Sequence, residues 1–174
     1  MRRGNKKRKT AYTAAALIAA AAVFLLVIFL TNCYGLRLVL KNRESGRIYA
    51  AFPVKNGDRF SVEFVHSVNN SPVRDIYEIR NSSEIYVVET DYYSFGAGVQ
   101  TELNPGETLE YGPDGSMQVK NIDKHIPDLI YVVGTVSDHK LCIGDEEVSL
   151  RGLCGKNSSV SFTVENTYGI PEMR

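Results

Sequence analysis

The sequence predicts an all-β fold, an antiparallel β-sandwich ectodomain preceded by one N-terminal transmembrane helix. Three observations predict it. Short runs rich in Val, Ile, Tyr and Phe recur along residues 36–165 with turn residues between them. Helical periodicity is almost absent after Leu30. A nineteen-residue uncharged stretch, Tyr12 to Leu30, follows six basic residues: Arg2, Arg3, Lys6, Lys7, Arg8 and Lys9.

That N-terminal stretch is taken first, because it sets the compartment. A helix needs roughly 20 apolar residues to cross a bilayer core of about 30 Å. A cleaved signal peptide has a shorter apolar core, roughly 7–15 residues, and a small-x-small site after it. Here the run is longer and ends Phe29-Leu30-Thr31-Asn32-Cys33. Basic flanks stay in the cytoplasm. The expected organisation is a basic cytoplasmic segment (1–10), a transmembrane signal anchor (11–32), a β-sandwich ectodomain (34–166) and a loose tail (167–174). The chain is thereby placed in the cytoplasmic membrane as a single-pass protein with its C-terminal domain extracytoplasmic. A lipidated Cys33 is a competing reading, disfavoured by Asn32, since a lipoprotein site wants a small residue there.

The formal net charge of zero conceals an asymmetry. Residues 34–174 hold fourteen Lys and Arg against all twenty Asp and Glu, a net charge of −6. A mildly acidic ectodomain argues against nucleic acid as a partner. Its length, about 140 residues, suits one domain with a real core.

The expected strands, in order, are Leu36–Lys41, Arg47–Phe52, Arg59–His66, Val73–Arg80, Ile85–Thr90, Ser116–Asn121, Leu129–Val136, Lys140–Ile143, Glu147–Arg151 and Ser159–Glu165. Turn signals separate them: Glu44-Ser45-Gly46, Asn56-Gly57, Asn81-Ser82-Ser83, Gly112-Pro113-Asp114-Gly115, Gly144-Asp145 and Gly155-Lys156-Asn157. Residues 91–110 lack alternation and read as a long irregular loop, a kind of segment that often carries function.

No P-loop, paired Cys-x-x-Cys, His-Glu-x-x-His or Gly-x-Ser-x-Gly is present, so no nucleotide or zinc enzyme is indicated. One polar constellation stands out. Along Arg59–His66, Phe60, Val62, Phe64 and His66 share a face; along Val73–Arg80, Val73, Asp75, Tyr77 and Ile79 do. Joining the two apolar faces puts His66 and Asp75 on the core side of neighbouring strands. A buried carboxylate needs a partner, and His66 is the expected one. Two readings follow: a structural pair that staples the hairpin end, or a binding site of His66, Ser67, Asp75 and the Phe95-Gly96-Ala97-Gly98 loop. His139 reads as a turn residue and His125 as a solvated loop residue, too scattered for a metal site. Cys142 and Cys154 carry two readings, a disulfide or two free thiols. The tight turn at Gly144-Asp145 puts Cys142 opposite a residue near 147 instead of 154.

At these residues the chain resembles the bacterial domain-of-unknown-function family numbered 1850. His66-Ser67-Val68, Ser71-Pro72-Val73 with an acidic residue two later, and Ser94-Phe95-Gly96-Ala97-Gly98 carry the likeness in order and spacing. It runs from about Leu36 to Val164, with Asp75 where the family pattern has Glu. Members resemble small exported or anchored proteins encoded beside tripartite ATP-independent periplasmic transporters, and the resemblance implies an accessory role in solute uptake. The expected function is a membrane-anchored extracytoplasmic binding module without catalysis or cofactor. Its expected partners are the membrane, through residues 11–32, and a transporter permease or solute-receptor subunit. The alternatives are a cell-envelope hydrolase using His66 and Asp75 with a serine such as Ser94, and a structural envelope protein.

Overall fold

The computed structural model describes residues 12, 15–27, 34–66, 70–94 and 102–168. Contacts divide the chain into two compact units, one of residues 1–35 with 167–171 and one of residues 36–166 with 172–174.

In the first unit, residues 15–27 are helical, and their apolar side chains are exposed: Leu17 at 72 % and Phe24 at 66 %, for example. Among the described residues, no helix is long and apolar enough to cross a membrane. Residues 11, 13, 14 and 28–32 of the anchor expected over 11–32 lie outside the described residues.

The second unit is built from alternating apolar and polar positions, which place side chains on opposite faces of a strand. In chain order the strands are β1 (Tyr34–Asn42), β2 (Ile48–Val54), β3 (Arg59–His66), β4 (Ser71–Arg80), β5 (Glu84–Tyr92), β6 (Thr108–Tyr111), β7 (Met117–His125), β8 (Leu129–Val132), β9 (Lys140–Ile143), β10 (Glu146–Ser149) and β11 (Ser159–Tyr168). A short helix, Leu150–Cys154, follows β10. The strands form a four-stranded sheet, β2-β1-β11-β8, and a seven-stranded sheet, β10-β9-β3-β4-β5-β7-β6. The pairings β1–β2, β8–β11, β9–β10, β3–β9, β3–β4, β4–β5, β5–β7 and β6–β7 are antiparallel, as the alternation predicts.

One core joins the inner faces of both sheets. Leu38, Leu40, Val160 and Phe162 come from the smaller sheet, and Phe60, Val62, Tyr77, Ile79 and Leu141 from the larger. Phe60 and Phe162 stack across the gap with centroids 6.1 Å apart. Burial of this apolar surface, at roughly 25 cal/mol per Å², is what holds the two sheets together. The outer face of the larger sheet is charged instead. Arg74 Nη2 donates to Glu63 at 3.2 Å, and Lys120 lies 2.8 Å from Glu110.

The structure departs from the sequence expectation in five places, the first being that the strand expected over Leu129–Val136 ends at Val132. The loop expected over 91–110 contains the end of β5 and the first three residues of β6, whose four residues are exposed at the sheet edge. Exposure removes the hydrophobic alternation that would have marked it. The run 147–151 is strand only to Ser149; there the chain turns into the helix. Ser149 Oγ accepts from Gly152 N–H at 2.8 Å, and Gly155, at φ 86, ends the helix with its N–H on Arg151 O. The β5–β7 ladder is interrupted between Val87 and Glu89, where Asn121 (φ 60) and Asp123 (φ 48) adopt left-handed backbone and carry β7 on to His125. Residues 167 and 168, expected in the tail, are the last two of β11, and residues 169–174 lie outside the described residues.

Candidate functional site

β4 points Asp75 inward between Val73 and Tyr77, beside Val62 of β3 and Thr90 of β5. A carboxylate in this position requires donors, and two hydroxyls provide them, with a third hydroxyl behind one of the two. Thr90 Oγ1 donates to Asp75 Oδ1 at 2.9 Å, and Tyr131 OH donates to Asp75 Oδ2 at 2.9 Å. Tyr131 OH also lies 2.6 Å from Tyr77 OH. The single phenolic proton of Tyr131 is committed to Asp75, so Tyr77 is the donor in that contact. Tyr131 belongs to β8, so this chain of hydroxyls ties the smaller sheet to the larger. Burial pushes the Asp75 carboxyl above its ordinary range, while the nearby hydroxyls of Thr90, Tyr131 and Tyr77 pull the other way. Burial and the Asp75 charge also push both phenols up.

Asp75, Tyr77 and Thr90 line a cavity of about 820 Å³, together with the turn at residues 104–107 and the segment 122–130. That turn is self-bound: Asn104 donates its backbone N–H and its side-chain amide to the Glu107 carboxylate, each at 2.8 Å. The opening follows from topology, since a four-stranded sheet cannot cover the whole inner face of a seven-stranded one. The β7 irregularity adds Ile122, Asp123 and Lys124 to its wall.

His66 is not the partner of Asp75. The register sets His66 opposite Ser71 and Asp75 opposite Val62, four residues along β3 and therefore about 13 Å away. Facing is as the alternation predicts, but the partner comes from across the sandwich, and period-2 reasoning carries no information about the opposite sheet. The separation also removes the direct His66–Asp75 dyad on which the hydrolase alternative rested. Tyr131 and Thr90 are the residues missed. Their signal in the sequence is chemical: hydroxyl-bearing residues inside apolar strands, which need partners when buried.

His66 instead lines a second cleft, with Phe64, Asn70, the 134–137 turn and His139. His139 is half-buried and more than a turn residue. Its ring stacks on Phe64, with centroids 5.4 Å apart, and meets Tyr131 edge-on at 5.7 Å. Gly134 N–H donates to His139 Nδ1 at 3.2 Å. Burial lowers the His139 pKa, partly offset by Asp138. The turn is tight: a Cβ on Gly134 would sit 2.5 Å from Ser137 O. His125 lies at the end of β7, exposed, with its ring centroid 5.1 Å from that of Tyr86.

Of the other expected site residues, Ser67 and Phe95, Gly96, Ala97 and Gly98 lie outside the described residues. Ser94 is exposed just beyond β5. Cys142 and Cys154 are free thiols in the structure. Cys142 pairs with Glu147, as the tight turn predicts, on the face opposite core-facing Leu141. Cys154 packs against the core, where burial pushes its thiol up to about 11. Among the described residues no group of three or more His, Cys, Asp or Glu could hold a metal ion.

Two antiparallel sheets of unequal size, clamped by a hydroxyl-bound interior carboxylate, define a small all-β domain. A family model described as "Domain of unknown function (DUF1850)" matches residues 60–150, from the middle of the core through the start of the short helix. The chain belongs to that family. No curated protein and no solved structure matches it.

Proposed function

We propose that the protein is a non-catalytic binding module, anchored in the cytoplasmic membrane with its sandwich outside, that serves a tripartite-type solute transporter. The observation that carries the binding part is the Asp75 cavity: a half-buried, hydroxyl-bound carboxylate in the wall of an opening of about 820 Å³. Few precisely held polar groups in a concavity are the usual make-up of a ligand site. The anchor is supported by the uncharged run Tyr12 to Leu30 behind six basic residues. It is further supported by the exposed apolar side chains of residues 15–27, a surface that lipid would cover. The transporter is supported by the family resemblance.

The test is crosslinked co-purification of the full-length protein from detergent-solubilised native membranes. A transporter permease or solute receptor is expected to be retained. Phe95→Ala should weaken retention more than Arg80→Ala does. Absence of any transporter subunit from the crosslinked sample overturns the accessory role.

A further inference from the structure

The hydroxyls around Asp75 leave a wall of acceptors. Thr90 commits its hydroxyl proton to Asp75 Oδ1, Tyr131 commits its own to Oδ2, and Tyr77 commits its own to Tyr131. Asp75, Tyr77 and Thr90 all line the cavity, and what they still offer it is oxygen lone pairs. A carboxylate has about four acceptor positions, so those of Asp75 are not exhausted by Thr90 and Tyr131.

The charge of Asp75 is not balanced. Its partners are hydroxyls, and among the described residues no Lys, Arg or His bonds to it. The segment 95–101, which precedes the turn at 104–107, reads Phe-Gly-Ala-Gly-Val-Gln-Thr and has no cation to give. Neutral donors lower the cost of taking an anion out of water without cancelling its charge. Burial accordingly still raises the Asp75 carboxyl despite them. The charged lining has the same sign: Glu107, Asp123 and Asp128 stand in the wall with Asp75, against Lys124 and His125. Lys124 is exposed and sits opposite Val87, whereas Asp75 sits opposite Thr90.

We propose that this cavity binds a small primary ammonium compound. Its N–H groups donate to oxygens of Asp75, Tyr77 and Thr90, and its hydrocarbon part lies along Val87 and Ile126, which also line the opening. The inference rests on the reading of this cavity as a ligand site and adds the ligand's chemical class; it does not depend on the transporter.

The probe is n-propylammonium, titrated at neutral pH into the full-length protein in detergent micelles and followed through the Tyr77 and Tyr131 ring resonances. Saturable shifts are expected. 1-Propanol, which has the same shape without the charge, should bind about tenfold more weakly, and propionate, of opposite charge, more weakly still. Asp75→Asn should cost about tenfold in propylammonium affinity, and Tyr77→Phe, which removes one acceptor from the wall, about threefold. Should Asp75→Asn fail to fold, the comparison of probes and Tyr77→Phe decide. Saturable binding of 1-propanol or propionate as tight as that of propylammonium overturns the ammonium while leaving the cavity a ligand site. Shifts that fail to saturate with any of the probes overturn both. An unchanged titration in a folded Asp75→Asn or in Tyr77→Phe overturns the ammonium as well.

Discussion

Asp75 and Asp91 stand on neighbouring rungs of one strand pair and face opposite sides of the same sheet. Asp75 pairs with Thr90, and Arg74 with Asp91. Both carboxyls are raised above the ordinary range, with burial as the largest cause. Their surroundings differ. Asp75 faces inward and has no cation among its bonded partners, yet hydroxyl donors meet both its oxygens. Asp91 faces outward, is only 4 % exposed, and has Arg74 3.9 Å away, beyond hydrogen-bonding distance. Arg74 spends its Nη2 donor on Glu63. Among the described residues Asp91 Oδ1 has no hydrogen-bond partner, and the neighbouring Glu89 charge adds to burial, pushing Asp91 up to about 6. The contrast teaches that a nearby opposite charge does less for a buried carboxylate than neutral donors at bonding distance.

The largest effect should come from breaking the better-satisfied side. Tyr131→Phe leaves Asp75 Oδ2 without its donor and Tyr77 OH without its acceptor, and should cost about 2–3 kcal/mol in denaturant unfolding. A loss below about 0.5 kcal/mol would show that the phenol is dispensable. Next, a double-mutant cycle of Asp75→Asn with Tyr131→Phe should show a coupling of about 1–2 kcal/mol. The cycle of Asp75→Asn with His66→Ala should be additive within about 0.5 kcal/mol. Strong coupling in the second cycle would restore the hairpin pair that the register excludes.

Asp91 should behave in the opposite sense. Its folded pKa of about 6 lies above the ordinary 3.8, so between those values the folded chain holds more protons than the unfolded one. The protein then loses stability as pH rises through that window, and the loss is complete above about 6. Asp91→Asn, which carries no charge at any pH, should therefore stabilise the protein by about 1–2 kcal/mol at pH 7.5 and by much less at pH 4. Equal gaps at the two pH values in denaturant melts would mean that Asp91 does not titrate in this window.

The smallest effect expected is that of a reductant. With Cys142 and Cys154 free, the covalent chain contributes no bridge between them, and excess reductant should move the melting temperature by less than about 1 °C. A larger drop would mean that a sulfur bridge adds to the stability that Tyr131 and the core provide.

Much of this architecture was legible in the sequence. Arg59–His66 and Lys140–Ile143 match β3 and β9 residue for residue, because strict alternation between marked turns leaves little freedom. β6 was not legible, since an edge strand exposed at all four positions has no buried face to show. The helix at Leu150–Cys154 escaped because five residues are too few to display a 3.6 period. At the candidate site, the inward facing of Asp75 and the pairing position of Cys142 were readable from local geometry. The bond from Tyr131 was not, because it joins residues 56 positions apart in different sheets. His139 was misread for a similar reason: its role comes from Phe64 and Tyr131, which only the closed sandwich brings to it.

β1 and β11, the first and last strands, are neighbours in the smaller sheet. Arg43 N–H donates to Ser159 O, and Ser161 Oγ donates to Lys41 O, so the end of β1 lies beside the start of β11. It follows that residue 36 emerges close to residue 166. A short linker could join them, and the polypeptide could then be opened at the Gly144-Asp145 hairpin without breaking a ladder. Such a circular permutant would keep the strand ladders within residues 36–166 while reversing which half of the domain leaves the ribosome first.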